Sequence, residues 1–236
     1  MENEPQTANR PVEGNGVDTA WRVVSGVSIV TFPFMLLVGF ASHPDILSVS
    51  VVADPATWIL DWRGNTWFHI GHLMVMFAVP FIIFACFKLS SFLHGRGAWY
   101  GFVGAVLGVF GAFLLAVDKG ALTFVLTAFK DMSDAQISAI SPALDAIFNR
   151  DGWLWITWGY VALPVGFILI TIGLLREGVI PKWQGYCIIL GLALLLNPDI
   201  EIISTAGALL MCVGFVPIGL RVFSGRLAPN AVSFKS

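Results

Sequence analysis

Two histidines lie close together in a stretch that is otherwise mostly apolar, Trp67–Leu89, WFHIGHLMVMFAVPFIIFACFKL. At about 1.5 Å per residue, this stretch is long enough to cross a bilayer as an α-helix. His69 and His72 are separated by one helical turn and therefore share a face of that helix. A histidine inside a membrane span is costly and normally faces the bundle interior. We therefore expect this helix to carry the chemistry of the protein.

Other polar side chains are predicted at the same depth, near the outer face of the membrane. His43 follows the first apolar span, Asp118 comes about twenty residues into the third, and Glu201 opens the last. Imidazoles and carboxylates are ligands that zinc, iron and copper accept. The sequence predicts a metal site near the outer face, with candidate ligands His43, His69, His72, Asp118 and Glu201, and with Asp199 and Lys119 as secondary members.

Several functions use these residues. The leading hypothesis is a metal-dependent enzyme acting on a lipid-soluble substrate, although no HExxH motif is present. A b-type haem between His43 and a histidine of the second span is a less favoured alternative. A small proton-coupled transporter would use Asp118 and Glu201 as proton carriers. A non-catalytic subunit of a membrane complex is a further alternative, and the histidines would then only bind interfacial groups.

The composition indicates a membrane protein. Apolar residues make up 57% of the 236-residue chain and charged residues 12%, against about 45–50% and about 25% in soluble domains. The net charge of −2 argues against a nucleic-acid surface. The three cysteines, Cys86, Cys187 and Cys212, lie in apolar stretches and are interpreted as small buried side chains.

Six membrane spans are predicted in an all-α fold, at 22–41, 67–89, 99–129, 153–175, 183–196 and 200–223. Lys and Arg are concentrated in the segments on the N-terminal side of the membrane, which places both termini in the cytoplasm. No apolar stretch precedes the first span. We therefore expect a multi-pass protein of the inner (plasma) membrane, without a cleavable signal peptide.

The predicted organisation is a single transmembrane domain, 21–224, between a mobile cytoplasmic tail at 1–20 and a second tail at 225–236. Two short amphipathic helices are expected on the outer face within 133–149. Ser133 with Gln136 fits a capping box, and Ser141-Pro142 predicts a restart. These helices are either a lid over an outer cavity or a plain surface connector. The first outer loop, 42–66, contains the turn signals Asp54-Pro55 and Arg63-Gly64-Asn65.

Small residues form a stripe along the third span. Such a stripe lets another helix approach closely, and its members are Gly101, Gly104, Gly108 and Gly111. Asp118 continues the stripe and is expected to face the bundle, with His72 as a better partner than the adjacent Lys119. The alternative is that the helix leaves the membrane at Val117 and Asp118 is solvated.

One segment, Ala162–Leu196, carries a family resemblance through Leu174-Leu175-Arg176 and Pro181-Lys182-Trp183. A helix ending in GLLR, a short Pro-Lys-Trp loop and a further apolar helix resemble small bacterial membrane proteins of uncharacterised domain families. The resemblance implies a bacterial six-helix protein. The lipid bilayer is the partner expected from the composition, and other membrane subunits are candidate partners under the subunit alternative. The resemblance implies no activity.

Overall fold

The computed structural model describes residues 16–49, 55–148, 154–197 and 200–227, and these residues form α-helices and their connections without a β-strand. The predicted all-α fold is confirmed. In chain order the helices are α1 (Gly16–Ala41), α2 (Pro55–Trp62), α3 (Thr66–Ser90), α4 (Ala98–Phe129), α5 (Asp134–Phe148), α6 (Leu154–Arg176), α7 (Lys182–Leu194) and α8 (Glu201–Phe223).

Four of these helices, α1, α3, α4 and α8, are long and apolar enough to cross a membrane. Their outward faces carry large apolar side chains such as Phe77, Phe113 and Leu209, which suits contact with lipid. The protein is therefore membrane-embedded. Helix α1 begins at Gly16, before the predicted span start at Arg22, so the predicted 1–20 tail is partly helical. Residues 1–15 and 228–236, which hold the rest of both predicted tails, lie outside the described residues.

The long helices pack as a closed ring in chain order: α1 on α3, α3 on α4, α4 on α6, α6 on α7, α7 on α8, and α8 back on α1. Three phenylalanines meet in the middle of the bundle. The ring of Phe32 lies 5.3 Å from that of Phe167 and 5.0 Å from that of Phe215. These contacts link α1, α6 and α8 across the core, which is apolar throughout this region.

The predicted glycine stripe is buried along α4. A Cβ on Gly111 would overlap the backbone of Leu163, and a Cβ on Gly166 would overlap that of Gly108. Helices α4 and α6 therefore touch backbone to backbone. Gly101 differs, because its nearest neighbour is the side chain of Leu93 rather than α6.

A cap formed by α2 and α5 covers one end of the ring, which we call the cap end. Its apolar contacts join it to α3 and α4 through Ile59, Phe68, Leu126 and Ile137, all fully buried. The first loop contains α2, a helix that was not predicted. One expectation was wrong here, because α5 is one helix that continues through Pro142 rather than two short helices. Ile137 and Ile140 pack in the cap cluster on the N-terminal side of the proline, which supports a continuous helix.

The capping box at the start of α5 is present as predicted. The backbone N–H of Ser133 donates to the Gln136 side chain at 2.8 Å, and the Gln136 N–H donates to the Ser133 hydroxyl at 3.3 Å. Arg63, in the α2–α3 connection, also binds the start of α5. Its guanidinium donates to the Asp134 carboxylate at 2.6 Å and to the Met132 carbonyl.

Candidate functional site

A cavity of about 80 Å³ lies between the helices at the cap end. Much of its wall is apolar and comes from residues such as Leu36, Val75 and Leu115. The polar part of the wall comes from the turn after α1, from α3 and α4, and from the connection into α8: His43, His72, Lys119, Asn197, Glu201 and Ser204. A mostly apolar cavity with a few convergent polar groups is the usual form of a small-molecule site.

His43 and Glu201 form a close pair of titratable side chains in the cavity. His43 lies in the turn directly after α1 and Glu201 is the first residue of α8. Nδ1 of His43 is 3.1 Å from Oε1 of Glu201, and both side chains are nearly buried. Burial first, then the nearby His72 and Lys119, lower the pKa of His43 to about 2. The imidazole of His43 is therefore neutral at physiological pH.

Asn197 fixes the position of the first turn of α8. Its side-chain N–H groups donate to the Leu194 carbonyl at 2.7 Å and to the Ser204 hydroxyl at 2.9 Å. Its side-chain oxygen accepts the N–H of Ile200, the residue before Glu201, at 2.5 Å. These bonds satisfy backbone groups at the end of α7 and the start of α8. Asn197 therefore places Glu201 next to His43.

His72 is the second imidazole of the site. Asn65 caps α3 by accepting the Phe68 N–H at 3.1 Å, and His72 follows one turn later. Nδ1 of His72 donates to the Phe68 carbonyl at 3.0 Å, because a carbonyl oxygen only accepts. In a neutral ring, Nε2 is then the acceptor. The His43 and His72 ring centres are 5.4 Å apart, so the two imidazoles are direct neighbours.

Glycine allows this approach of α1 to α3. A Cβ on Gly71 would overlap the hydroxyl oxygen of Ser42, and a Cβ on Gly39 would overlap Val75. The end of α1 can therefore lie directly against α3 at the level of His72. This contact carries His43 into the cavity.

Asp118 and Lys119 lie well inside α4, which continues to Phe129 rather than ending at Val117. The Lys119 ammonium is 3.4 Å from the Asp118 carboxylate, and their side chains are only 15% and 12% exposed. The adjacent lysine is therefore an ion-pair partner of Asp118, and Asp118 also interacts electrostatically with His72, the expected partner. Lys119 lines the cavity and carries a positive charge to its wall.

Two other predicted residues have different positions. Nε2 of His69 donates to the Arg63 carbonyl at 2.9 Å, so His69 contacts the connection below the cap and does not line the cavity. Asp199 lies outside the described residues. Within the described ranges, no group of three or more His, Cys, Asp or Glu side chains is arranged to hold a metal ion. The predicted five-ligand site is therefore not assembled among the described residues. Of the predicted residues, His43, His72, Lys119 and Glu201 line the cavity.

Three residues of the site were not predicted. Asn197 and Ser204 line the cavity, and the ring of Trp62 lies 6.1 Å from that of His43. Asn197 precedes a proline, which is a turn signal in the sequence. A turn signal does not show that the side chain will point into a cavity. Trp62 belongs to α2, a helix that the sequence analysis did not predict.

No family model matches the chain, and neither a curated protein nor a solved structure has significant similarity to it.

Proposed function

We propose that the cavity at the cap end is an acid–base site for a small lipid-soluble substrate. The observation that supports this most directly is the His43–Glu201 pair, at 3.1 Å and facing a mostly apolar cavity. A histidine oriented by a carboxylate is a recurrent proton-transfer arrangement in enzymes. The apolar walls favour an apolar substrate and exclude water from the pair.

The proposed roles follow from the hydrogen-bonding capacity of each group. When Glu201 is ionised, Nδ1–H of His43 donates to it, and the negative charge at 3.1 Å raises the proton affinity of the ring against the effect of burial, so that Nε2 can accept a proton from the substrate. The carboxylate then stabilises the imidazolium that forms. Lys119 is the cation of the cavity wall and balances negative charge that develops on a substrate oxygen. His72 lies beside His43 and serves as a second acceptor through Nε2.

We also propose that all six helices of the ring cross the membrane, with α7 as a short span, with both termini in the cytoplasm and the cap outside. The closed ring of six helices and the excess of Lys and Arg in the segments away from the cap support this topology. Cysteine labelling of intact cells tests it. A cysteine at position 94 is expected to react only after the membrane is made permeable. Labelling of that position from outside would show that the orientation in the membrane is opposite to the one proposed.

A transition-metal site for zinc, iron or copper stays a separate proposal, and it would have to rest on fewer than three His, Cys, Asp or Glu ligands from the described residues. Elemental analysis of purified protein tests this proposal. About one equivalent of metal that is lost in His72→Ala would support it, and a metal content unaffected by this substitution would exclude it. Haem b is disfavoured, because a cavity of about 80 Å³ is roughly half of the ~150 Å³ that accommodates one benzene ring.

Untargeted mass spectrometry tests the acid–base proposal without a known substrate. Purified protein in nanodiscs is incubated with a total extract of bacterial membrane lipids, and the extract is compared before and after incubation. We expect wild type to convert at least one species, and His43→Gln and Glu201→Gln not to. His94→Gln is the matched control, since His94 is exposed at the end opposite the cap. Equal conversion by all four proteins, or by none, would overturn the proposal.

A further inference from the structure

The wall between α6 and α7 changes along the length of the bundle. Away from the cap the two helices touch, because a Cβ on Gly185 would overlap the side chain of Leu175. At the cap end, the same side of the cavity is lined by Leu163 and Pro164 of α6 and by Leu195 of the turn after α7. The cavity therefore reaches the wall where α6 faces the end of α7.

Helix α7 is too short to close that wall. It has 13 residues, which extend about 20 Å against a hydrocarbon thickness of about 30 Å. Its neighbours α6 and α8 have 23 residues each. Leu195 and Asn197, which follow α7, line the cavity together with Leu163 and Pro164 of α6. Leu195 is partly exposed and Leu196 is 44% exposed in the α7–α8 connection.

The opposite approach, from the aqueous side, is covered by aromatic side chains. Phe68 is fully buried and its ring is 4.8 Å from that of His43. Trp62 packs on Phe68 at 5.1 Å and also contacts His43. The cap cluster and the Arg63–Asp134 ion pair hold Trp62 in this position. Water-side entry would require the cap to move, whereas the described lining residues on the bilayer side are the apolar Leu163, Pro164 and Leu195.

We infer that the ligand of this cavity is a single-chain amphiphile that enters sideways from the bilayer, between α6 and α7 at the cap end. This inference rests on the proposed function of the cavity. The cavity has room only for a small polar end, such as a hydroxyl or a carbonyl, which meets His43 and Lys119. The apolar chain passes Leu163 and Leu195 and stays in lipid.

Thiol labelling in the cavity tests the route. Ser204→Cys places a thiol on the cavity wall, and peptide mapping counts only the adducts at position 204, so the native cysteines stay in place. Two thiosulfonates are compared in proteoliposomes: a dodecyl reagent, which reaches the site from lipid, and a trimethylammonium-ethyl reagent, which stays in water. Each reagent is compared only with itself across variants.

Leu195→Trp is expected to slow the dodecyl reaction by about tenfold and to leave the trimethylammonium reaction unchanged. Leu190→Trp is the matched control, since Leu190 is on the exposed face of α7, and it should change neither rate. Arg63→Ala, which loosens the cap, should not speed the dodecyl reaction. An unchanged dodecyl rate in Leu195→Trp, or a faster one in Arg63→Ala, would overturn lateral entry.

A second measurement uses the unmodified chain, in case the variants fold poorly. A long-chain alcohol with a diazirine near its hydroxyl is photoactivated in nanodiscs. We expect adducts on peptides that contain 163–164 or 195–197, and adducts confined to lipid-facing positions such as Leu190 would contradict the inference. His43→Gln separates the two proposals. It should abolish conversion while keeping the same adducts, so each proposal can fail without the other.

Discussion

The 3.1 Å contact between His43 Nδ1 and Glu201 Oε1 joins the first long helix to the last. His43 lies in the turn directly after α1, and Glu201 is the first residue of α8. The pair therefore lies where the last helix of the ring packs against the first. Close packing of Gly26 and Gly219 against the facing helix holds the same two helices together farther from the cap. The candidate site is therefore also a structural link.

Breaking this link should destabilise the protein. We expect His43→Gln and Glu201→Gln each to cost about 1–3 kcal/mol, because each leaves a nearly buried partner with a lost hydrogen bond. The double variant should cost less than the sum of the two single variants, since both remove one interaction. Reversible unfolding in detergent measures the three values. Strict additivity, or an equal loss in His94→Gln, would show that the pair is not coupled.

Stability should also depend on pH through His43. Burial, together with His72 and Lys119, lowers its pKa from 6.5 to about 2 in the folded protein. The unfolded chain binds a proton near pH 6.5 and the folded protein does not, so stability falls as the pH decreases through this window. The loss from this group at pH 5 is about 2 kcal/mol. Melting temperatures of wild type should fall between pH 7 and 5, whereas His43→Gln should show a smaller decrease.

The glycine contact between α4 and α6 can be tested with matched alanine variants. A Cβ on Gly166 would overlap backbone atoms of Gly104 and Gly108, which cannot rotate away. Gly166→Ala should therefore destabilise the protein by about 1–3 kcal/mol. Gly120→Ala is the control, because its Cβ would lie 3.7 Å from Met76, an ordinary contact distance. Equal thermal stability of the two variants would show that close α4–α6 approach is not required.

The cap should loosen when its ion pair is removed. Arg63→Ala deletes the bonds to Asp134 and to the Met132 carbonyl. Because the cap has only a small apolar cluster of its own, we expect faster amide hydrogen exchange in peptides of α2 and α5. Exchange in α8 should stay unchanged. Lys130→Ala is the control, because Lys130 is exposed in the α4–α5 connection. Equal exchange in both variants would show that the contacts of Arg63 do not stabilise the cap.

Glu177 should hold the α3–α4 connection at the end opposite the cap. Its carboxylate accepts the N–H groups of Gly95 and Gly97, each at 2.8 Å, and that of His94 at 3.3 Å. Partial desolvation acts to raise the pKa of Glu177, but these three donors outweigh it and lower the pKa. Stability from this group is therefore lost as the pH falls through its carboxyl titration. Glu177→Gln should increase exchange at 94–97 at neutral pH and leave the cap unaffected.

The sequence by itself determined the fold class and the membrane setting. The apolar stretch Trp67–Leu89 became α3 almost unchanged at Thr66–Ser90, because length and continuous apolarity already define a span. The capping box at Ser133 was also readable, since its two side chains bond within one helical turn. These features are local, and local features are encoded in neighbouring residues.

Only the tertiary structure decided which polar residues form the site. His69 and His72 share one face of an ideal helix, yet His69 bonds to the Arg63 carbonyl and His72 lines the cavity. Asp118 pairs with Lys119 inside a helix that continues to Phe129. The partner of His43, Glu201, comes from a distant segment of the chain, and Asn197 enters the cavity through the turn between α7 and α8. Helical periodicity gives the direction of a side chain, whereas the packing between helices decides which groups that side chain contacts.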